Sequence, residues 1–131
     1  MAIYATRWFY RWARKQKLDE VALQEAVREM TAGLFDADLG GHVIKKRVAR
    51  AGQGKSGGFR TLVATNQGDL WIFMYGFAKN ERSNIDKDEL EALRRLAQEL
   101  LGLASSALHT AVQAGELHEV NGDEKDEVSD S

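Results

Sequence analysis

The sequence predicts an α+β domain with N-terminal helices and a long C-terminal helix packed on a small, mainly antiparallel β-sheet. Three observations carry this expectation. Apolar residues recur at helical spacing before residue 33 and after residue 86, whereas between residues 42 and 76 the period is two. A turn-rich segment, Asp36 to Gly41, separates the two regimes. The 131 residues, 44% hydrophobic and 29% charged, suit a single core.

In chain order, Ile3–Thr6 reads as a short edge strand and Trp8–Lys17 as a helix. Trp8 and Trp12 lie four apart on one of its faces, and Arg11, Arg14, Lys15 and Lys17 make another face basic. Five of the eleven aromatics fall in the first twelve residues (Tyr4, Trp8, Phe9, Tyr10, Trp12) and are expected in the core. A second helix is expected after Asp19, a fitting N-cap, with Leu23, Ala26, Val27 and Met30 on its apolar face and Gly33 just past its end. Strands are expected over His42–Arg50, Phe59–Thr65 and Leu70–Gly76, with Asn66–Asp69 as a hairpin turn.

Asp86 and Glu89 have the spacing of a capping box. They open a long helical stripe at Leu90, Leu93, Ala97, Leu100, Ala104, Ala107 and Ala111, which Gly102 breaks or kinks and Gly115 ends. Leu117–Val120 adds a short edge strand. The helices are expected on one side of the sheet. Residues 121–131 carry five acids against one lysine, with Val128 the one sizeable apolar group. They are expected to form a disordered acidic tail after a single domain over residues 1–120.

With no cysteine, the chain has no disulfide, thiolate zinc site or cysteine nucleophile. His42, His109 and His118 show no metal-ligand spacing, so neither a metal nor another cofactor is expected. No apolar run reaches the ~18 residues of a membrane span, and the N-terminus lacks a signal-peptide pattern. The expected compartment is the cytoplasm.

The net charge of −2 conceals a polarity: residues 1–65 hold twelve Lys+Arg against six Asp+Glu, and residues 66–131 hold six against fourteen. Between Leu39 and Gly68 stand Lys45, Lys46, Arg47, Arg50, Lys55 and Arg60, with no acid among them. A one-signed cluster in a small domain points to a polyanion, above all nucleic acid.

Within this stretch, Gly52–Gly58 satisfies two glycine-rich signatures. Gly52, Gly54 and Gly57 fit the dinucleotide fingerprint, and Gly54-Lys-Ser-Gly-Gly58 fits the nucleophile elbow. Both require a helix to follow, and here a strand follows. A Walker A loop would need glycine where Ala49 stands. What remains is a glycine loop between two strands, able to bring backbone N–H groups and Lys55 close to an anion. After the third strand, Tyr75, Phe77, Lys79, Asn80 and Arg82 interleave rings with polar and cationic groups, a composition suited to stacking bases and pairing phosphates.

The run Lys45-Lys46-Arg47 through Arg50, Lys55 and Arg60, followed by Tyr75-Gly, Lys79, Asn80 and Glu81, resembles the HigB branch of the RelE/ParE-type toxins of bacterial type II toxin–antitoxin systems. The resemblance covers roughly residues 30–100. It implies a RelE-like α+β fold, ribosome-dependent endonucleolytic cleavage of mRNA and neutralisation by a helix-turn-helix antitoxin. The same fold includes ParE-type gyrase inhibitors, so a non-catalytic basic binder, of gyrase or of RNA, is the alternative.

A metal-free ribonuclease of this kind uses the RNA 2′-OH as nucleophile. It needs a base, an acid for the leaving 5′-oxygen and cations for the phosphorane charge. With the resemblance, the charge pattern nominates Lys46 or Lys55 as base, ahead of His42. Arg50 and Arg60 would sit on the phosphate, Tyr75 would stack or orient, and Lys79 would contact the phosphate or leaving group. Lys45, Arg47, Phe77, Asn80 and Arg82 complete the RNA-binding set. Lys55 and Arg60 are expected outside the core.

Overall fold

The strand Phe59–Thr65 is buried at all seven positions, and that fact organises the molecule. Alternate side chains of a strand point to opposite faces, so both faces of the sheet must be covered. In the computed structural model, which describes residues 1–49 and 58–121, the elements run β1 (Ala2–Thr6), α1 (Arg7–Lys15), α2 (Glu20–Thr31), β2 (Ala37–Asp38), β3 (Val43–Val48), β4 (Phe59–Thr65), β5 (Leu70–Ala78), α3 (Lys87–Leu101), α4 (Ser105–Gln113) and β6 (Leu117–Glu119). Phe59 and Val63 of β4 share a core with Phe9, Ala13, Leu23, Val27 and Met30 of α1 and α2. Leu62 and Ala64 share the opposite core with Ala97 and Leu108 of α3 and α4. The helices therefore flank the sheet in pairs rather than lying on one side. Polar residues within β4 hid this: Arg60, expected outside the core, is buried, as are Thr61 and Thr65.

Among the described residues the sheet has six strands in the order β2-β3-β4-β5-β1-β6. β1 is not an edge: it runs parallel to β5 on one side and antiparallel to β6 on the other. The sheet is mixed, and β6 is the edge beyond β1. At the other edge β2, two residues within the segment read as turns, pairs with β3. The β4–β5 ladder shifts register between Leu62 and Val63, leaving Met74 of β5 without a partner in register, as a β-bulge does.

Local chemistry sets the helix ends. Thr6 Oγ1 accepts the Phe9 N–H at 3.1 Å and starts α1. Asp19 Oδ1 accepts the Ala22 N–H at 2.9 Å and starts α2, and Gly33 follows at φ +87°, where a side chain would be strained. Asp86 and Glu89 close their capping box at 2.8 and 2.9 Å. The expected long C-terminal helix is two helices. Gly102 ends α3, Ala104 is extended at ψ 161°, and α4 begins at Ser105. Glycine inside a helix costs about 1 kcal/mol relative to alanine. The break lets Leu108 of α4 and Leu117 of β6 join the same apolar cluster as α3.

Of the five early aromatics, Phe9 is fully buried while Trp8 is 47% exposed, contrary to the expectation that all pack inside. The tail expected over residues 121–131 lies, beyond Asn121, outside the described residues. No helix among the described residues is long and apolar enough to cross a membrane.

Candidate nucleic-acid interface

Register places the cations. Along three adjacent strands, Lys45 pairs with Leu62 and Leu62 with Tyr75; one step of the pleat further, Arg47 pairs with Arg60 and Arg60 with Phe77. These two rungs alternate onto the α3 face. Arg47 and Arg60 are thus direct cross-strand neighbours, an arrangement that is destabilising for like charges unless countered. Asp36, just before β2, supplies the counter-charge. Its Oδ2 lies 3.1 Å from Arg47 Nε and 3.8 Å from Arg60 Nε.

Arg60 is buried, with 5% of its surface exposed, which corrects the expectation of a position outside the core. Its Nη1 is buried without a hydrogen-bond partner among the described residues. An unpaired buried donor is costly, and a guanidinium edge in this state favours an anionic acceptor. Arg47, about half exposed, stands beside it.

The segment after β5 frames this row. Arg82 lies 5.4 Å over the Phe77 ring and forms a two-bonded pair with Glu89, Nη1 to Oε2 at 3.0 Å and Nη2 to Oε1 at 2.5 Å. It also donates to the Tyr75 hydroxyl at 3.3 Å and to the Asn84 carbonyl at 2.9 Å. The hydrogen bonds from Arg82 and from the Asp86 backbone hold the Glu89 carboxyl below its ordinary value, and the same pair raises Arg82. Arg82 therefore fixes the aromatic pair while its own charge is matched. Tyr75 is half-buried and stacks on Trp8 at 4.5 Å.

Not every nominated residue joins this face. Lys46 alternates to the α1/α2 side, where its buried ammonium lies 2.7 Å from Glu29 and donates to the Leu34 carbonyl at 2.9 Å. His42 sits at the far end of β3, exposed and at φ +67°. Arg47 is five positions further along the chain, about 16 Å away at strand rise. Lys79 and Asn80 are exposed beyond the end of β5, and the Lys79 backbone N–H donates to the Gly58 carbonyl at 3.2 Å. Arg50 and Lys55 lie outside the described residues.

Sequence reasoning missed Asp36, Glu29 and the pairing of Glu89 with Arg82. Asp36 lies 24 residues from Arg60, and nothing local signals their meeting. A counter-charge was nevertheless foreseeable once Arg47 and Arg60 were placed opposite each other in register.

The chain is thus a small α+β domain with a cross-strand arginine pair on one face of a mixed sheet. The family model described as "RelE toxin of RelE / RelB toxin-antitoxin system" matches residues 1–120, and the chain belongs to that toxin family. No curated protein and no solved structure matches it.

Proposed function

We propose that the protein is the toxin of a HigB-type type II toxin–antitoxin pair. In this reading it cuts mRNA on the ribosome with the RNA 2′-OH as nucleophile, and a helix-turn-helix antitoxin neutralises it. The observation that carries the reading is the cross-strand pair of Arg60, whose buried Nη1 has no hydrogen-bond partner among the described residues, with half-exposed Arg47. Arg47 is the member of that row open to a phosphate, with the Arg60 charge behind it, while Phe77, 3% exposed, packs in the core and is not free to stack a base. Family membership supports the same activity, since RelE-type toxins are generally mRNA-cleaving endoribonucleases.

The 2′-oxygen attacks the neighbouring phosphorus as its proton passes to a base, and the 5′-oxygen leaves with a proton. Arg47 and Arg60 stabilise the charge that grows on the non-bridging oxygens. Lys46 serves this badly as base, because it faces the other core and is paired with Glu29. Lys55 serves it better. Three residues before Gly58 in sequence, it is the nominated base that remains, and it lies outside the described residues. Tyr75 orients the base, and Lys79 at the end of β5 is the further phosphate contact.

The test is expression of the chain alone, followed by primer extension on translated messages. The reading expects growth arrest with new 5′ ends, relieved by Arg47→Ala. Intact messages with gyrase stalled on DNA would replace it with the ParE-like alternative, and harmless expression would end the toxin reading.

A further inference from the structure

Helix α1 carries a charged surface that the sheet site does not use. Arg7, Arg11 and Lys15 are spaced by four residues and form a row about 6 Å apart along the axis, with Arg14 beside it. The helix contains no acid. Arg7 is tied to the α4 end, donating to the Gly115 carbonyl at 3.0 Å. No ion pair to Arg11, Arg14 or Lys15 is found among the described residues, and all three are exposed. On one side of the row an open hollow of about 410 Å³ is lined by Arg7, Trp8, Arg11, Trp12 and Lys15. Its volume falls in the range of small-ligand sites, about 300–1,000 Å³.

A tryptophan with 47% of its surface in solvent, set against unpaired cations, has no explanation in core packing. Trp8 stacks with Trp12 at 6.1 Å and with Tyr75 at 4.5 Å. Tyr75 belongs to the same rung of the sheet as Lys45. An aromatic bridge thus runs from the arginine face, around the end of β1, onto α1.

We infer that α1 is a second binding surface for single-stranded RNA, continuous with the sheet face. An unpaired base stacks in the Trp8–Trp12 hollow, and flanking phosphates lie along Arg11 and Lys15. The inference rests on the RNA reading proposed above, and it assigns that RNA a footprint beyond the scissile phosphate. Single-strand binders combine a cationic track with aromatic platforms, because every base has a π-face and every residue of the strand a phosphate.

The test is binding rather than cleavage. The probe is a fluorescein-labelled 2′-O-methyl oligoadenylate twelve-mer, which has no free 2′-OH and so cannot be cut by that chemistry. Its affinity for the full chain is measured by anisotropy over a salt series. Stacking on an aromatic platform accounts for roughly 5- to 150-fold in affinity per base. Trp8→Ala should therefore weaken binding about tenfold, with Trp8→Phe restoring most of it. Arg11→Ala with Lys15→Ala should reduce the slope of log K against log salt by about 1.4, at about 0.7 per phosphate for single strands. Inorganic polyphosphate, which has charge but no bases, should bind Trp8→Ala and the parent alike.

Affinity and slope unchanged in these variants would overturn the inference, as would an equal loss of polyphosphate binding in Trp8→Ala. The two readings fail separately. If no message is cut yet these binding losses appear, the proposed function falls and the α1 surface stands. If messages are cut and the losses are absent, the α1 surface falls alone.

Discussion

Removing the carboxylate of Glu29 should destabilise the protein far more than removing the lysine it faces. Lys46 projects from β3 into the α1/α2 core with its side chain 5% exposed, its ammonium 2.7 Å from a Glu29 carboxylate that is 21% exposed. Taking away one partner of such a pair leaves a buried, uncompensated charge and costs about 3–5 kcal/mol, whereas replacing both partners by well-packed apolar side chains is often neutral. The partial exposure of Glu29 argues for the lower end, about 3 kcal/mol in Glu29→Ala. For a domain of this size 1 kcal/mol moves Tm by roughly 4 °C, so the expected drop is about 12 °C. Lys46→Met, of similar length and shape, leaves instead the Glu29 carboxylate, which water reaches at 21% exposure, so its cost should be smaller, about 1 kcal/mol. Adding it to Glu29→Ala should recover most of the loss, since the buried ammonium is then gone as well. Urea unfolding at constant m-value, with thermal melts, reads all three. Equal destabilisation by the two single variants would refute the argument that the unpaired charge dominates. The same set speaks to function: Lys46→Met should keep RNA cleavage, and its loss in a stably folded protein would return Lys46 to the role of base.

Three further outcomes can be checked directly. An alanine Cβ at Gly76 would lie 2.5 Å from Trp12 Cζ3, and Trp12 packs edge-on against Phe59, so Gly76→Ala should cost roughly 1–3 kcal/mol in urea unfolding; an unchanged midpoint would mean that Trp12 moves freely. Burial first, then Arg7 and Arg11, lower the His118 pKa below 6.5. The folded state thus disfavours the proton, and this contribution to stability is present above about pH 6.5 and lost as pH falls through the depressed folded value. His118→Gln should flatten the Tm–pH curve in that window, and an unaltered curve would contradict the assignment. Deleting residues 122–131 should leave Tm unchanged, since Val128 is the one sizeable apolar group there; a large fall would make the segment part of the folded domain.

Two helix starts were legible because each rests on a local hydrogen bond: Asp19 and the Asp86–Glu89 box appear as read. The Phe59–Thr65 strand was also legible in its full extent. What escaped was non-local. β1 gains its inner position from a parallel partner about 68 residues away, and no local pattern encodes that pairing. The division of helices between two faces was masked by polar residues buried on both of them, Arg60 on the α3 side and Thr61 and Thr65 on the α1/α2 side. The site behaves alike. Arg47, Arg60, Tyr75 and Phe77 were visible as a charge and aromatic pattern. That Lys46 faces the opposite core follows from strict alternation between Lys45 and Arg47, a step that strand boundaries alone would have allowed. The exposure of Trp8 could not be read, because a helix with tryptophans four apart looks the same whether that stripe meets core or solvent.

The most direct test of the account is primer extension on messages translated in a cell-free system, with purified parent protein and Arg47→Ala compared. Arg47 is the half-exposed member of the arginine pair, so its loss tests the phosphate contact without opening the core. The account predicts discrete new 5′ ends with the parent only when the message is being translated. With Arg47→Ala those ends should fall by at least about tenfold, given that a lost charge-assisted contact is worth about 1.5–3 kcal/mol. Equal cleavage by the two proteins would contradict the central claim that the Arg47–Arg60 face holds the scissile phosphate.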